Sequence, residues 1–157
     1  MDDRTALQLA ALAEIHAAFG RSGIEYWLFG GWAVDFYAGS VTRMHDDVDV
    51  AVWLEDHPRA ATLLAADGWT HAPDNDEDGG TGYERGGVRL ELTFLVRGDD
   101  GQVSIPLKSG NARWSTQPLG ARVAELEGVT ARVIALGLLT RGKSQPRDET
   151  DDAAKDR

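Results

Sequence analysis

Residues 26–52 have the sequence YWLFGGWAVDFYAGSVTRMHDDVDVAV, and this segment decides the fold of the chain. Its last part, Asp46–Val52, alternates as a half-buried strand does, because successive side chains of a strand point to opposite faces. Asp47 and Asp49 then share one face, while the valines share the other, apolar face. Two adjacent carboxylates repel each other, so this pair favours a divalent cation held between them. A solvated strand end is the alternative.

A phosphate-binding turn is predicted just upstream. Tyr26–Phe29 is short and apolar, as a buried strand is, and a helix is predicted from Trp32. Gly30 and Gly31 between them allow the backbone to approach a ligand closely, and the N–H groups of the following turn can bind a phosphate. An ordinary turn is the alternative for a glycine pair alone, but the neighbouring Asp-x-Asp strand favours the ligand site.

The order of these features resembles the nucleotidyltransferase superfamily that includes DNA polymerase beta. Within it, GGWAVD and VTRMHDDVDV, with Gly39 between them, are similar to the small adenylyltransferases that modify aminoglycoside or lincosamide antibiotics. The resemblance implies that ATP or another NTP binds with its phosphates at Gly30 and Gly31, and that two Mg²⁺ ions are held by Asp47 and Asp49. An acceptor hydroxyl would then attack the α-phosphorus, and pyrophosphate would leave.

The same resemblance assigns three further site residues. Arg43, in the loop before the acidic strand, and Lys143 would contact the nucleotide phosphates. The superfamily takes its third metal-binding and catalytic carboxylate from a later strand, and Glu91 is the candidate. Residues 88–96, VRLELTFLV, alternate as a strand with Glu91 on the polar face. The alternatives are an ion pair with Arg89 for Glu91, and a solvated loop position for Arg43.

A Walker A pattern at Gly137–Ser144 is rejected as a nucleotide site in its own right. That motif needs a helix that starts at its Lys-Ser pair, and Pro146 lies where this helix would continue. Lys143 is therefore assigned through the family resemblance and not through this motif.

The fold class predicted is α/β (α+β), a single minimal nucleotidyltransferase domain over residues 1–157. This length gives one domain with a proper core. We expect a mixed sheet of about four or five strands, with helices packed on one side. The first helix is predicted from apolar positions at residues 7–19, with Asp2, Asp3 or Thr5 as its cap and residues 20–23 as its end. Further helices are predicted at residues 32–38 and 56–66, and strands at 25–29, 46–53, 88–96, 102–105 and 129–134. Residues 74–82 are predicted as a mobile polar loop and residues 106–119 as a turn-rich stretch.

Composition restricts the partners of the chain. Its 16 Lys and Arg against 26 Asp and Glu give a formal net charge of −10, which argues against a nucleic-acid substrate because phosphate contacts need clustered cations. An acidic surface favours a cationic small-molecule acceptor. The sequence has no cysteine, no basic signal-peptide start and no apolar run of membrane-spanning length, so we expect a cytoplasmic protein that makes no membrane contact.

The length also bears on assembly. Larger aminoglycoside adenylyltransferases have a helical second domain that closes over the acceptor, and relatives continue into an apolar helix after the acidic stretch at residues 148–157. Two expectations follow: either the protein is naturally short, or its C-terminal helix lacks its end. We also expect a homodimer in which each subunit completes the acceptor pocket of the other, with Trp69 and Trp114 as surface that a monomer leaves uncovered.

Three functions are compatible with these features. The first is Mg²⁺-dependent transfer of AMP from ATP to a hydroxyl of an aminoglycoside or lincosamide antibiotic, which the GGWAVD and TRMHDDVDV stretches favour. The second is modification of a partner protein by a minimal nucleotidyltransferase, as in toxin–antitoxin pairs. The third is nucleotide binding without turnover.

Overall fold

The computed structural model describes residues 1–73, 78–107, 110–115 and 119–136. Within these ranges the helices are α1 (Asp3–Arg21), α2 (Gly30–Ala38) and α3 (His57–Ala66), with a short 3-10 helix at Leu54–Asp56 before α3. The strands are β1 (Tyr26–Phe29), β2 (Val48–Trp53), β3 (Thr70–His71), β4 (Gly80–Arg85), β5 (Val88–Arg97), β6 (Val103–Leu107), β7 (Gly110–Ser115), β8 (Arg122–Leu126) and β9 (Val129–Val133).

The strands form one mixed sheet in the order β3-β4-β5-β2-β1-β9-β8, and β6 pairs with both β5 and β7. Strands β2 and β5 are parallel, as are β1 and β9, while β1 and β2 are antiparallel. The predicted mixed α+β fold is confirmed. The sheet is larger than expected, with nine strands in the described residues instead of four or five. Segments such as Gly80–Arg85, GTGYER, lack the apolar alternation that signals a strand, and they join the sheet by pairing with a strongly alternating neighbour.

All three helices pack on one face of the sheet, as predicted. Leu28 of β1, Val50 of β2 and Leu92 of β5 are aligned across the sheet and share this face. They form one buried cluster with side chains of the helices, including Leu12 of α1 and Trp32 of α2. Burial of each large apolar side chain stabilises the fold by about 1.5–3 kcal/mol. The central strands are thereby held with one face inside and the other available for a site.

The opposite face of the sheet is partly covered by strands β6 and β7. A second buried cluster forms there, and it includes Trp27, Leu95 and Val103. The prediction of a turn-rich stretch at residues 106–119 is wrong for residues 106–107, which belong to β6, and for residues 110–115, which form β7. Pairing with β5 and burial against this cluster supply the order that the local sequence does not signal.

Other predictions have mixed outcomes. Helix α1 is capped by Asp2, whose side chain accepts the N–H of Thr5 at 2.8 Å, as expected for a helix start. The loop predicted at residues 74–82 is wrong for residues 80–82, which belong to β4, and residues 74–77 lie outside the described ranges. Trp69 is buried, so it does not supply the uncovered surface expected for a homodimer. The homodimer itself stays a prediction. Within the described ranges, no helix combines the length and apolarity that crossing a membrane requires.

Candidate active site

Two carboxylates lie side by side on the uncovered part of the sheet. Asp49 of β2 is directly opposite Glu91 of β5 in the parallel register. Residues opposite each other on neighbouring strands point to the same face, so both side chains are on the face away from the helices. Both are half-buried. The predicted placement of Glu91 on a strand beside the acidic strand is therefore found in the structure.

The start of helix α2 touches this acid pair. Gly30 has φ +73°, a left-handed conformation that side-chain-bearing residues rarely adopt, and a Cβ at this position would overlap the Asp49 carboxylate. The helix begins at Gly30 and not at Trp32, so both glycines lie in its first turn. The N-cap residue, Phe29, has no polar side chain with which to cap the first N–H groups, and such groups bind anions.

Arg43 and His45 lie over the second glycine. The point where a Cβ of residue 31 would stand is 2.9 Å from Arg43 Nη2 and 2.7 Å from His45 Nδ1. Only a residue without a side chain leaves room for both groups. The guanidinium of Arg43 faces the glycine turn, and its contact with the nucleotide phosphates stays a prediction. His45 was not assigned to the site by sequence reasoning.

Asp35 is a further residue that sequence reasoning missed. Its side chain is fully buried, at 0% exposure, and lies 2.7 Å from His45 Nε2. Asp35 stands in the apolar helix α2, between the buried Trp32 and Phe36. A carboxylate on the apolar face of a helix needs a partner, because burial of an unpaired charge is costly. That position in the pattern GGWAVD was the signal available in the sequence.

Glu91 is held by an arginine on its own strand. Arg89 Nε donates to Glu91 Oε2 at 2.6 Å, and Arg89 Nη1 donates to the Ala72 carbonyl and to Glu84 Oε2 at 3.3 Å. The pairing with Arg89 that sequence analysis gave as the alternative is therefore present. Glu91 forms this ion pair through Oε2 and also lies opposite Asp49. Its catalytic role stays a prediction.

The first two acids of the DDVD run point to different surroundings. Asp46 is exposed and lies 3.6 Å from Arg4 Nη2 on helix α1, away from the acid pair. Asp47 is half-buried, in the residue just before β2, which starts at Val48 and thus two residues later than predicted. Because Asp47 precedes the strand that carries Asp49, the shared face of these two side chains stays a prediction.

The donor set at this edge suits Mg²⁺, which prefers carboxylate oxygens as ligands. Asp47 and Asp49 are the residues that would hold it, with Glu91 as a third oxygen ligand. In the described part of the chain, groups of three or more His, Asp or Glu side chains already arranged for a metal are absent. The residues fit Mg²⁺ by the chemistry of their carboxylate oxygens. Lys143 lies outside the described ranges.

An aromatic edge borders the acid pair. Phe29 is opposite Asp49 in the antiparallel register of β1 and β2, so it lies on the same face. Its ring contacts Trp114 of β7 edge-on, with ring centroids 5.4 Å apart. Both rings are half-buried. The open face thus combines carboxylates with aromatic rings, a combination suited to a ring-shaped ligand that carries positive charge.

Comparison with known proteins agrees with this geometry. Residues 11–143 match the family described as aminoglycoside-2''-adenylyltransferase. Over 43 residues the chain is 42% identical to a 2''-aminoglycoside nucleotidyltransferase of Klebsiella pneumoniae, which is 27% of this chain and 24% of that relative. A 2''-aminoglycoside nucleotidyltransferase of Escherichia coli matches equally over 43 residues. The aligned segment spans about a quarter of the length of these curated relatives.

Two solved structures share the fold. The lincomycin-bound lincosamide antibiotic adenylyltransferase LnuA superposes with a TM-score of 0.69 at 19% identity, over 98% of this chain and 95% of that one. ANT(2'')-Ia in complex with adenylyl-2''-tobramycin superposes with a TM-score of 0.64 at 21% identity, over 82% of this chain and 70% of that one. At these identities the likeness concerns the fold alone.

Proposed function

The chain belongs to the aminoglycoside-2''-adenylyltransferase family, and from this membership we propose that it transfers AMP from ATP to a hydroxyl group of an aminoglycoside or lincosamide antibiotic. One observation carries the proposal: Asp49 and Glu91 are directly opposite each other, and the first turn of helix α2 lies against Asp49. Nucleotidyl transfer needs a cation-binding pair of carboxylates next to a phosphate-binding backbone, and this edge of the sheet combines the two.

The proposed reaction exchanges one phosphorus–oxygen bond for another. The oxygen of the acceptor hydroxyl bonds to the α-phosphorus of ATP, and the bond from this phosphorus to the oxygen that bridges to the β-phosphate breaks. Pyrophosphate leaves with the electron pair of that bond. We assign the hydroxyl proton to the Glu91 carboxylate, which is on the same face as Asp49 and is a possible general base.

The charge of the phosphates is offset from two sides in this proposal. The N–H groups of the first turn of α2, at Gly30 and Gly31, lie at the positive end of the helix dipole. Arg43 faces the same turn. When bound at Asp47 and Asp49, Mg²⁺ would stabilise the charge on the attacking and leaving oxygens.

The acceptor class rests on the family and on the open face. In the related structures, LnuA is bound to lincomycin and ANT(2'')-Ia to adenylyl-2''-tobramycin. In this chain, Phe29 and Trp114 form an aromatic edge beside Asp49, and the net charge is −10. Rings of this kind pack against the apolar faces of sugars, and the carboxylates attract amino groups. These features favour a cationic, sugar-containing acceptor.

A transfer assay tests the proposal. The protein is incubated with Mg²⁺, ATP labelled at the α-phosphate, and either tobramycin or lincomycin. The expected result is label on the antibiotic, release of pyrophosphate, and neither product with Asp49→Asn. Label on added protein instead would favour the partner-modifying alternative. Binding of ATP without product from either antibiotic would favour the non-catalytic alternative.

A further inference from the structure

The loop between helix α2 and strand β2, residues 39–47, is tied to the helix by one buried carboxylate. Asp35 Oδ2 accepts the backbone N–H of Thr42 at 3.0 Å and lies 2.7 Å from His45 Nε2. Asp35 Oδ1 accepts the Thr42 hydroxyl at 2.5 Å. Because an ionised carboxylate only accepts hydrogen bonds, His45 presents Nε2–H to it. Both ends of the Thr42–His45 segment are thus held by one side chain.

His45 is fixed by two further contacts. Its ring lies against that of Trp32, with centroids 4.5 Å apart, and its carbonyl accepts the side-chain N–H of Gln8 at 2.9 Å. Gln8 Oε1 in turn accepts the indole N–H of Trp32 at 3.2 Å. Gln8 and Trp32 are both 0% exposed. Helix α1, helix α2 and the loop therefore meet in one buried hydrogen-bonded set.

The segment held in this way carries the site residues. Arg43 follows Thr42 directly, and its guanidinium lies 2.9 Å from the Cβ position of Gly31. Asp47 comes two residues after His45, at the entrance to β2. The Asp35 carboxylate therefore holds the loop at Thr42 and His45. Arg43 lies between these two residues in the sequence, and Asp47 follows them.

We propose that Asp35, through Thr42 and His45, is a positioning residue that sets where Arg43 stands over the phosphates of the nucleotide. This inference rests on the proposed function and deepens it, since it names the residues that shape the nucleotide side of the site. The physical reason is rigidity. A buried carboxylate that accepts three hydrogen bonds fixes the backbone of the loop, and a long arginine side chain reaches the same point only if its backbone is fixed. None of the three residues needs to touch the nucleotide.

Thr42 offers the cleanest test, because it is exposed although its hydroxyl reaches the buried carboxylate. Thr42→Val keeps the branched shape and the backbone N–H but removes the hydroxyl, and Thr42→Ser restores the hydroxyl. Thr62→Val is the matched control, since the Thr62 hydroxyl donates to the Pro58 carbonyl within helix α3 and takes no part in the hydrogen bonds of Asp35. Binding of Mg²⁺ with α,β-methylene-ATP, which cannot react, is measured by calorimetry, and the melting temperature of each variant is recorded.

The expected result is a Kd raised about tenfold or more for Thr42→Val, the loss typical of a hydrogen bond to a charged group. Thr42→Ser should stay within about twofold of the unchanged chain, and Thr62→Val should bind as the unchanged chain does. Asp35→Asn, which keeps the shape and removes the charge, should also raise the Kd, and it serves as the second test if Thr42→Val melts early. Weakened binding at an unchanged melting temperature distinguishes positioning from a purely structural role.

Two outcomes would overturn the inference, and they are distinguishable. Unaltered ATP binding by both Thr42→Val and Asp35→Asn removes the positioning role and leaves the proposed function standing. An unchanged chain that binds no ATP analogue with Mg²⁺ removes the proposed function and the inference together.

Discussion

Asp49 and Glu91 are directly opposite each other on the parallel strands β2 and β5, although 42 positions (91 − 49) separate them in the sequence. The pair stands on the face away from the helices, next to the start of α2. Two carboxylates this close stabilise the fold little by themselves, because like charges oppose each other. The proposed function accounts for this arrangement by placing a cation at the two carboxylates, and the first two predictions test that proposal.

Asp47→Asn and Asp49→Asn should each abolish nucleotidyl transfer while the fold persists. Each substitution removes a charge that the cation needs and relieves repulsion within the acidic edge, so the melting temperature should hold or rise slightly. Asp46→Asn is the control, because Asp46 is exposed and pairs with Arg4 of helix α1, away from Asp49 and Glu91. Turnover and thermal melting are measured together. Wild-type turnover by Asp49→Asn would exclude this residue from the mechanism.

Glu91→Gln should lower the transfer rate by about 10²-fold or more, the usual effect of losing a positioned acid–base group. ATP affinity should change little, since the nucleotide phosphates are assigned to the glycine turn. Glu84→Gln is the matched control. Glu84 Oε2 lies 3.3 Å from Nη1 of Arg89, the same arginine that pairs with Glu91, but Glu84 is on the neighbouring strand β4. Steady-state kinetics and a separate binding titration report the two quantities. Equal losses in rate and affinity would assign Glu91 a structural or purely metal-holding role.

Gly30→Ala should both destabilise the protein and stop transfer. A side chain at φ +73° costs about 1–3 kcal/mol, and its Cβ would displace the Asp49 carboxylate. Gly20→Ala is the control, because Gly20 is inside helix α1 with nothing within 4 Å of an added Cβ. That change should raise the free energy of unfolding by about 0.5–1 kcal/mol and leave activity intact. An active, stable Gly30→Ala would show that the turn tolerates a side chain and does not press on Asp49.

The stability of the fold should fall in mildly acidic solution because of His57. Burial, aided by the charge of His71, lowers the pKa of His57 from its ordinary value of 6.5. The unfolded chain then binds a proton at a pH where the folded chain does not, so the free energy of unfolding decreases as pH falls below about 6.5. The ring donates or accepts at the Tyr83 hydroxyl, 3.0 Å away.

Urea unfolding of the unchanged chain and of His57→Gln, at about pH 7.5 and about pH 5, isolates this contribution. The decrease in unfolding free energy between the two conditions should be smaller in the variant. If both proteins lose the same amount, His57 is protonated equally in the folded and unfolded chains.

The sequence by itself determined the parts of this protein that depend on local pattern. The alternation over β2 and β5 placed Asp49 and Glu91 on the polar faces of their strands, since a strand buries every second side chain. The glycine pair marked the turn between β1 and α2, because φ +73° at Gly30 excludes most other residues. These signals, with their spacing, also carried the family resemblance.

Only the tertiary structure decided which of these elements meet. The parallel pairing that aligns Asp49 with Glu91 depends on the order of strands in the sheet, which no local period encodes. Strands β4, β7 and β8 have weak patterns and form because stronger neighbours supply their hydrogen bonds. Asp35 and His45 are ten residues apart in the sequence, and they become partners only when the loop folds back on α2. The reason is that a buried charge is stable only where the surrounding chain supplies hydrogen-bond partners.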